Sequence, residues 1–138
     1  MSGPDFLDTN VLVYAYAPAD GRKQTIAQGI LEKALNGEGV VSSQVLAEFA
    51  VTLLHKVAPP RRHEEALIAL DALVTLKLVT PDHGMVRRAV QARAAYGIHF
   101  YDGMIVAAAE RGRCGRILSE DLNAGQTYFQ IPVVNPFT

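Results

Sequence analysis

Four carboxylates in this chain stand where short apolar runs end or where the following helix begins. Asp8 follows "DFL", Glu48 lies one turn into the helix after "GVVSS", Asp102 opens "DGMIVAAA", and Asp121 follows "RILSE". Alone, each has an ordinary explanation. Asp8 can cap a helix for about 1 kcal/mol, Glu48 can be a boundary residue with its head in water, and Asp121 can cap a turn. Asp102 is harder to dismiss. Ile105, Val106 and Ala109 follow it at i+3, i+4 and i+7, so the acid heads an apolar stripe. An ionised carboxylate there is costly without a positive partner.

Taken together, the four acids imply a site. Converging carboxylates repel by about 4 kcal/mol per pair at 4 Å and an effective dielectric near 20. No Lys or His lies beside any of them in sequence to supply a counter-charge. Hard oxygen ligands with open positions suit Mg²⁺ or Mn²⁺. Such an ion polarises a phosphoryl oxygen and acidifies bound water, which is phosphoester chemistry.

The elements that must position these acids alternate. "DFLD" leads into a helix "NVLVYAYA" that Pro18 stops, and "RKQTIAQGILEKALN" is helical through Ile26, Ile30 and Ala34, ending at Asn36-Gly37. "GVVSS" reads as a buried strand, and Leu46, Phe49 and Leu53 mark the next helix, which Pro59-Pro60 end. Ala66, Leu67, Leu70, Leu73 and Val74 form an amphipathic stripe. "KLVT" reads as a strand. Pro81-Asp82 open a helix that Gly97 closes, "YDGMIVAAAERG" is helical, and "RILSED" and "IPVVNP" are the last strands. Short strands alternating with longer helices imply a three-layer αβα domain around a mostly parallel sheet. Ligands in such sheets sit beyond the strands' carboxyl ends.

The totals bound the rest. A length of 138 residues suits one domain, and 49% hydrophobic residues argue against wholesale disorder. The single cysteine, Cys114, precludes an internal disulfide and fits a reducing compartment. "MSGPDF" lacks signal-peptide features, and no apolar run reaches membrane-spanning length. A soluble cytoplasmic protein is expected. Net charge is −1, with 13 basic and 14 acidic residues, which excludes gripping nucleic acid by bulk charge. Handling it through a metal and a few local arginines stays open.

"FLDTNVLVY", "SSQVLAEF", "FYDGMIVAAA" and "ILSEDLNAGQ…IPVVNPF", in this order, resemble a PIN domain, in particular the VapC-type toxins of bacterial toxin–antitoxin pairs. The resemblance covers essentially residues 1–138 as a single domain. It implies a metal-dependent endoribonuclease using one or two Mg²⁺ or Mn²⁺ ions. By position, Asp8 and Asp102 would be the principal ligands, Glu48 would complete the set or orient a metal-bound water, and Asp121 would be the fourth acid. Glu120 could share that fourth position with Asp121. Thr9 and Asn10, in "DTN", and Ser119, in the S-x-D slot, would support the ligands. An RNA substrate, a cognate antitoxin and a homodimer follow from the same resemblance, with exposed Leu and Val on one or two helices as the dimer face. An antitoxin arginine would fill the acidic pocket.

Rival readings are weighed on residues. A phosphatase with a nucleophilic Asp8 needs a second acid two positions on, where Asn10 stands. A receiver domain needs an acid after the second strand, and "GVVSSQ" has none. A non-catalytic PIN-like binding module is the alternative from another class, and retention of all four acids opposes it. Each of three arginine groups, Arg61-Arg62, Arg87-Arg88-Arg93 and Arg111-Arg113-Arg116, weighs evenly between a solvated face and phosphate contact. The histidines, His99 included, are read as structural or solvent-facing.

Overall fold

The computed structural model describes residues 3–17 and 19–138. The expected helix stop at Pro18 lies outside the described residues. Strand β1 (Asp5–Leu7) runs into α1 (Thr9–Tyr16), and α2 (Gly21–Lys33) follows. A π-helical turn at Ala34–Glu38 leads to β2 (Gly39–Ser42). Next come α3 (Ser43–Val51), a second π-helical turn at Thr52–Lys56, and α4 (His63–Ala72). Then β3 (Lys77–Val79), α5 (His83–Tyr96), α6 (Phe100–Arg111), β4 (Arg116–Leu118), β5 (Thr127–Tyr128) and β6 (Ile131–Val134) complete the chain.

The strands form one sheet in the order β3-β2-β1-β4-β6-β5. All neighbours are parallel except β5 and β6. On one side α1 packs on α2 and α3, and α3 meets α4; α5 and α6 pair with each other, and α6 lies on β2, β4 and β6. This is the expected αβα arrangement. Its topology also sets where chemistry can occur. The chain moves outward from β1 through β2 to β3, then returns to place β4 on the other side of β1. The switch point between β1 and β4 opens a crevice at their carboxyl ends. The two strands run in register from Asp5 opposite Arg116 to Leu7 opposite Leu118, and the Asp8 amide donates to the Leu118 carbonyl at 3.0 Å. Asp8 and the segment after β4 therefore emerge side by side.

Helix α6 is buried along Gly103–Ala109. It comes close to α5 because residue 103 is glycine: a Cβ there would lie 2.7 Å from the Ala89 carbonyl oxygen. The helix limits also follow local chemistry. Asp20 and Asp82 cap α2 and α5, and Gly97, at φ 69°, ends α5 in the left-handed conformation.

Some apolar faces differ from expectation. In α4 the core side is Ala66, Ala69 and Leu73, while Leu67, Ile68 and Val74 are 58%, 68% and 78% exposed. The small alanines allow close approach, and a helix with apolar residues on several sides does not reveal by periodicity which side packs. In α2 the buried set is Ala27, Leu31 and Ala34, with Ile26 and Ile30 half-buried; in α3 Val45 replaces Leu46 beside Phe49 and Leu53. Strand β5 was not expected. Its two residues are too few to alternate, and its turn uses Phe129 and Gln130 at φ 47° and 70° without glycine.

Candidate active site

Asp8 is the pivot of the crevice. As N-cap of α1 it accepts the Thr9 amide at 2.8 Å through Oδ1. Ser119 Oγ donates to its Oδ2 at 2.7 Å. Ser119 is fully buried and accepts in turn from the amides of Asp121 (3.2 Å) and Leu122 (3.0 Å). One hydroxyl thus fixes both the Asp8 carboxylate and the turn that carries Asp121.

The "DTN" neighbours extend this frame across the cleft. Thr9 Oγ1 donates to Glu48 Oε2 at 2.9 Å. Asn10 Nδ2 donates to Asp121 Oδ2 at 3.1 Å, while its Oδ1 accepts the Glu120 amide at 3.2 Å. Gln44, one turn before Glu48, donates to Glu48 Oε1 at 3.0 Å and to the Tyr101 carbonyl at 3.3 Å. Asp102 occupies the first turn of α6, and no group among the described residues hydrogen-bonds its carboxylate.

Electrostatics tie the four acids together. Burial pushes the Asp8 carboxyl above the usual range, the Ser119 and Thr9 donors offset part of this, and Glu48 and Asp121 add repulsion. Asp102 is also raised, first by burial; His99 opposes the shift, and Glu48 and Asp121 reinforce it. Residues separated by up to 113 positions in sequence therefore act on one another at one crevice.

Glu120 and Asp121 are distinguished by their partners. Lys23, from α2, forms an ion pair with Glu120, and Tyr14 OH donates to Glu120 Oε1 at 2.5 Å. Lys23 and then Tyr14 hold the Glu120 carboxyl below its ordinary range. Asp121 instead faces Asn10 and acts electrostatically on Asp8 and Asp102.

The donor set suits a hard divalent cation in type and charge: every candidate ligand is a carboxylate oxygen, and the nearby Lys23 is committed to Glu120. Among the described residues, however, no three Asp, Glu, His or Cys side chains stand close enough to hold one ion. Convergence on a single ion requires rotation of at least one carboxylate. Asp102, without a hydrogen-bonded anchor, is the freest to rotate.

An open cleft of about 550 Å³ runs from Glu48 and Asp121 along α1 and α3, lined also by Thr9, Asn10, Tyr14 and Lys56. Lys56, Tyr14, Lys23 and Gln44 were not singled out in sequence. Two had a readable signal: Tyr14 lies at i+4 from Asn10, and Gln44 at i−4 from Glu48, on shared helix faces. Most arginines in the three basic groups are committed to intramolecular contacts. Arg62 pairs with Glu65, Arg88 with Glu110, Arg111 with Asp82 and Arg116 with Asp5, while Arg93 donates to the Ile98 carbonyl. Arg88 also stacks 3.5 Å from the Phe129 ring centroid.

Comparison with known proteins bears on the family and the fold. The family model for the PIN domain matches residues 6–130. The chain belongs to the PIN-domain family. Its structure is similar to a toxin–antitoxin complex chain from Klebsiella pneumoniae, with TM-score 0.70, 22% identity, and 98% of each chain covered. It is similar to VapBC2 of Rickettsia felis, solved bound to a promoter DNA fragment, with TM-score 0.69, 18% identity, and 95% of this chain and 97% of that one covered. A third similar structure is VapC20 of Mycobacterium tuberculosis, described as a sarcin–ricin loop cleaving toxin, with TM-score 0.67, 14% identity, and coverage of 93% and 98%. At these identities the likeness is one of fold. No curated protein matches the sequence.

Proposed function

We propose that residues 1–138 form a single PIN domain that acts as a divalent-metal-dependent endoribonuclease, the toxin of a toxin–antitoxin pair. The observation that carries this reading is the hydrogen-bonded frame at the β1/β4 switch point, in which Thr9, Asn10 and Ser119 link Asp8, Glu48 and Asp121, with Glu48 and Asp121 also raising the Asp102 carboxyl. Four acids brought together from four segments cost stability, and a function that needs their charge explains their retention. The toxin–antitoxin proteins of similar fold supply the class of activity.

Asp8 and Asp102 would be the principal ligands of Mg²⁺ or Mn²⁺, with Glu48 and Asp121 completing the set. Bound there, a divalent ion supplies Lewis-acid polarisation of the scissile phosphate and acidifies a water. The chain's own residues supply orientation. Ser119 fixes the Asp8 rotamer, Thr9 and Gln44 hold the two Glu48 oxygens, and Asn10 aims Asp121. Supporting hydrogen bonds of this kind typically govern metal affinity by about 10–100-fold.

A cognate antitoxin and a homodimer are proposed partners. Leu67, Ile68 and Val74 offer an apolar surface of the kind a dimer covers. No helix among the described residues is long and apolar enough to cross a membrane, and a cytoplasmic location is proposed alongside the RNA substrate.

The test is cleavage of total RNA by the purified protein with EDTA, Mg²⁺ or Mn²⁺, beside Asp8→Asn and Asp102→Asn. Metal-dependent cutting is expected to drop by at least about a hundredfold in each folded variant, since losing a ligand exceeds losing its support. Circular dichroism checks folding. The second reading, a binding module without turnover, draws on the absence of a ready-made three-ligand cage. Wild-type protein that binds a partner yet cuts no RNA under any metal would establish it.

A further inference from the structure

The N-terminal turn of α6 carries more than Asp102. His99 caps the helix, its Nδ1 accepting the Tyr101 amide at 3.2 Å. Its ring stacks on Tyr101, with centroids 5.9 Å apart and planes 25° from parallel. Phe100 packs edge-on against Tyr101, with centroids 5.2 Å apart. Tyr101 is nevertheless 58% exposed, and His99 is exposed beside it. The folding core does not need this ring, because the rest of α6 fills its side of the sheet with Gly103–Ala109.

Its backbone, by contrast, is held to the site. Gln44 bridges the Tyr101 carbonyl to Glu48, so the ring's attachment point is tied to a cleft acid on one side and precedes Asp102 by one residue on the other. A flat, solvent-facing ring pre-set by a stacked neighbour is suited to receive another flat ring, with little rotamer entropy left to lose.

We infer that the Tyr101 ring, braced by His99, is a stacking platform for an unpaired nucleobase adjoining the carboxylate cleft. This rests on the nuclease reading and narrows its substrate class to RNA whose bases are free to splay out, such as single strands and loops. Bases inside a duplex have no face to offer. Stacking tolerates any base, so the platform adds affinity and placement, and sequence preference arises elsewhere. Tyr101 is thus a substrate-binding residue and His99 a positioning one.

The test uses short single-stranded RNA containing 2-aminopurine, whose emission is quenched on stacking. The chain contains no tryptophan to confuse the signal. With EDTA present to prevent cleavage, wild type is expected to bind and quench. Tyr101→Ala should weaken binding by about tenfold and abolish quenching, whereas Tyr101→Phe should stay within about twofold of wild type. His99→Ala should leave the ring in place but less ordered, losing about threefold. In metal-supported cleavage, Tyr101→Ala should raise KM with kcat nearly unchanged. Circular dichroism excludes unfolding as the cause. If Tyr101→Ala binds and quenches like wild type while still cutting RNA, the platform is wrong and the nuclease reading survives. If Tyr101→Ala instead changes the molecular mass in solution with RNA affinity intact, the ring belongs to a protein contact and the inference falls. If wild type neither binds nor cuts RNA, the nuclease reading fails and the platform fails with it.

Discussion

The two walls of the carboxylate site are built differently. On the β1/β4 wall nearly every polar atom is engaged: Asp8 accepts from Thr9 and Ser119, Asp121 from Asn10, and Glu120 from Lys23 and Tyr14. On the α6 wall Asp102 has no hydrogen bond among the described residues, and its position is set by how deeply α6 is packed. One wall is fixed by polar bonds, the other by close approach of apolar surfaces. A carboxylate cluster needs both kinds of support. Bonded acids define where charge sits, while a loosely held one can turn toward a ligand without breaking anything.

The largest effect on stability should come from breaking the bonded wall at its centre. Ser119→Ala removes the donor to Asp8 and leaves the Asp121 and Leu122 amides without their acceptor in a buried site. Unsatisfied buried groups cost about 1–3 kcal/mol, which urea denaturation would register. Activity should fall by about 10–100-fold, because the Asp8 rotamer and the Asp121 turn loosen together. Full activity in this variant would mean that the bonded wall is scaffolding alone.

Gly103→Ala attacks the packed wall without touching a polar atom. The added Cβ meets the Ala89 carbonyl oxygen at 2.7 Å, and every atom it crowds is Ala89 helix backbone, which cannot step aside singly. Overpacking of this kind costs about 1–3 kcal/mol, of which the better helix propensity of alanine returns up to about 1. The midpoint of urea denaturation should drop with an unchanged slope. Because α6 must move to relieve the clash, activity should decline further than stability alone accounts for. A variant as stable as wild type would show that α5 and α6 can separate freely and that Asp102 is not placed by packing.

The same contrast explains what the sequence disclosed and what it hid. Asp8 and Asp102 were readable because each interrupts an apolar pattern at an element boundary, and the αβα order followed from strands and helices taking turns. Lys23 was not readable. It reaches Glu120 across 97 positions through the packing of α2 on α1, and nothing local announces it. The packed face of α4 was hidden for the opposite reason: with Leu67, Ile68, Leu70, Leu73 and Val74 distributed around the helix, hydrophobicity offered too many faces instead of none. The division of labour between Glu120 and Asp121 also required three dimensions, since adjacent acids differ only in which way the turn after β4 sends them.

The smallest effect on stability is the most diagnostic of the free wall. Asp102→Asn removes charge but no hydrogen bond among the described residues, so the stability change isolates the electrostatic penalty. The Asp102 carboxyl is held above its ordinary value of 3.8, burial being the main cause and Glu48 and Asp121 lesser ones. The folded protein therefore keeps this proton to higher pH than the unfolded chain does. Stability owed to this group is greatest below 3.8 and declines as pH rises through the folded pKa, becoming level above it. The Asn variant lacks that decline. It should be more stable than wild type at neutral pH, by no more than about 1 kcal/mol given solvent screening of an exposed group, and the difference should vanish at the acid end. Added salt screens the Glu48 and Asp121 repulsion but leaves desolvation, so it should close only a minor part of the gap. If salt closes the gap entirely, like charges rather than burial dominate at Asp102. If the Asn variant is less stable at neutral pH, the attraction of His99, which opposes the shift, outweighs burial at Asp102.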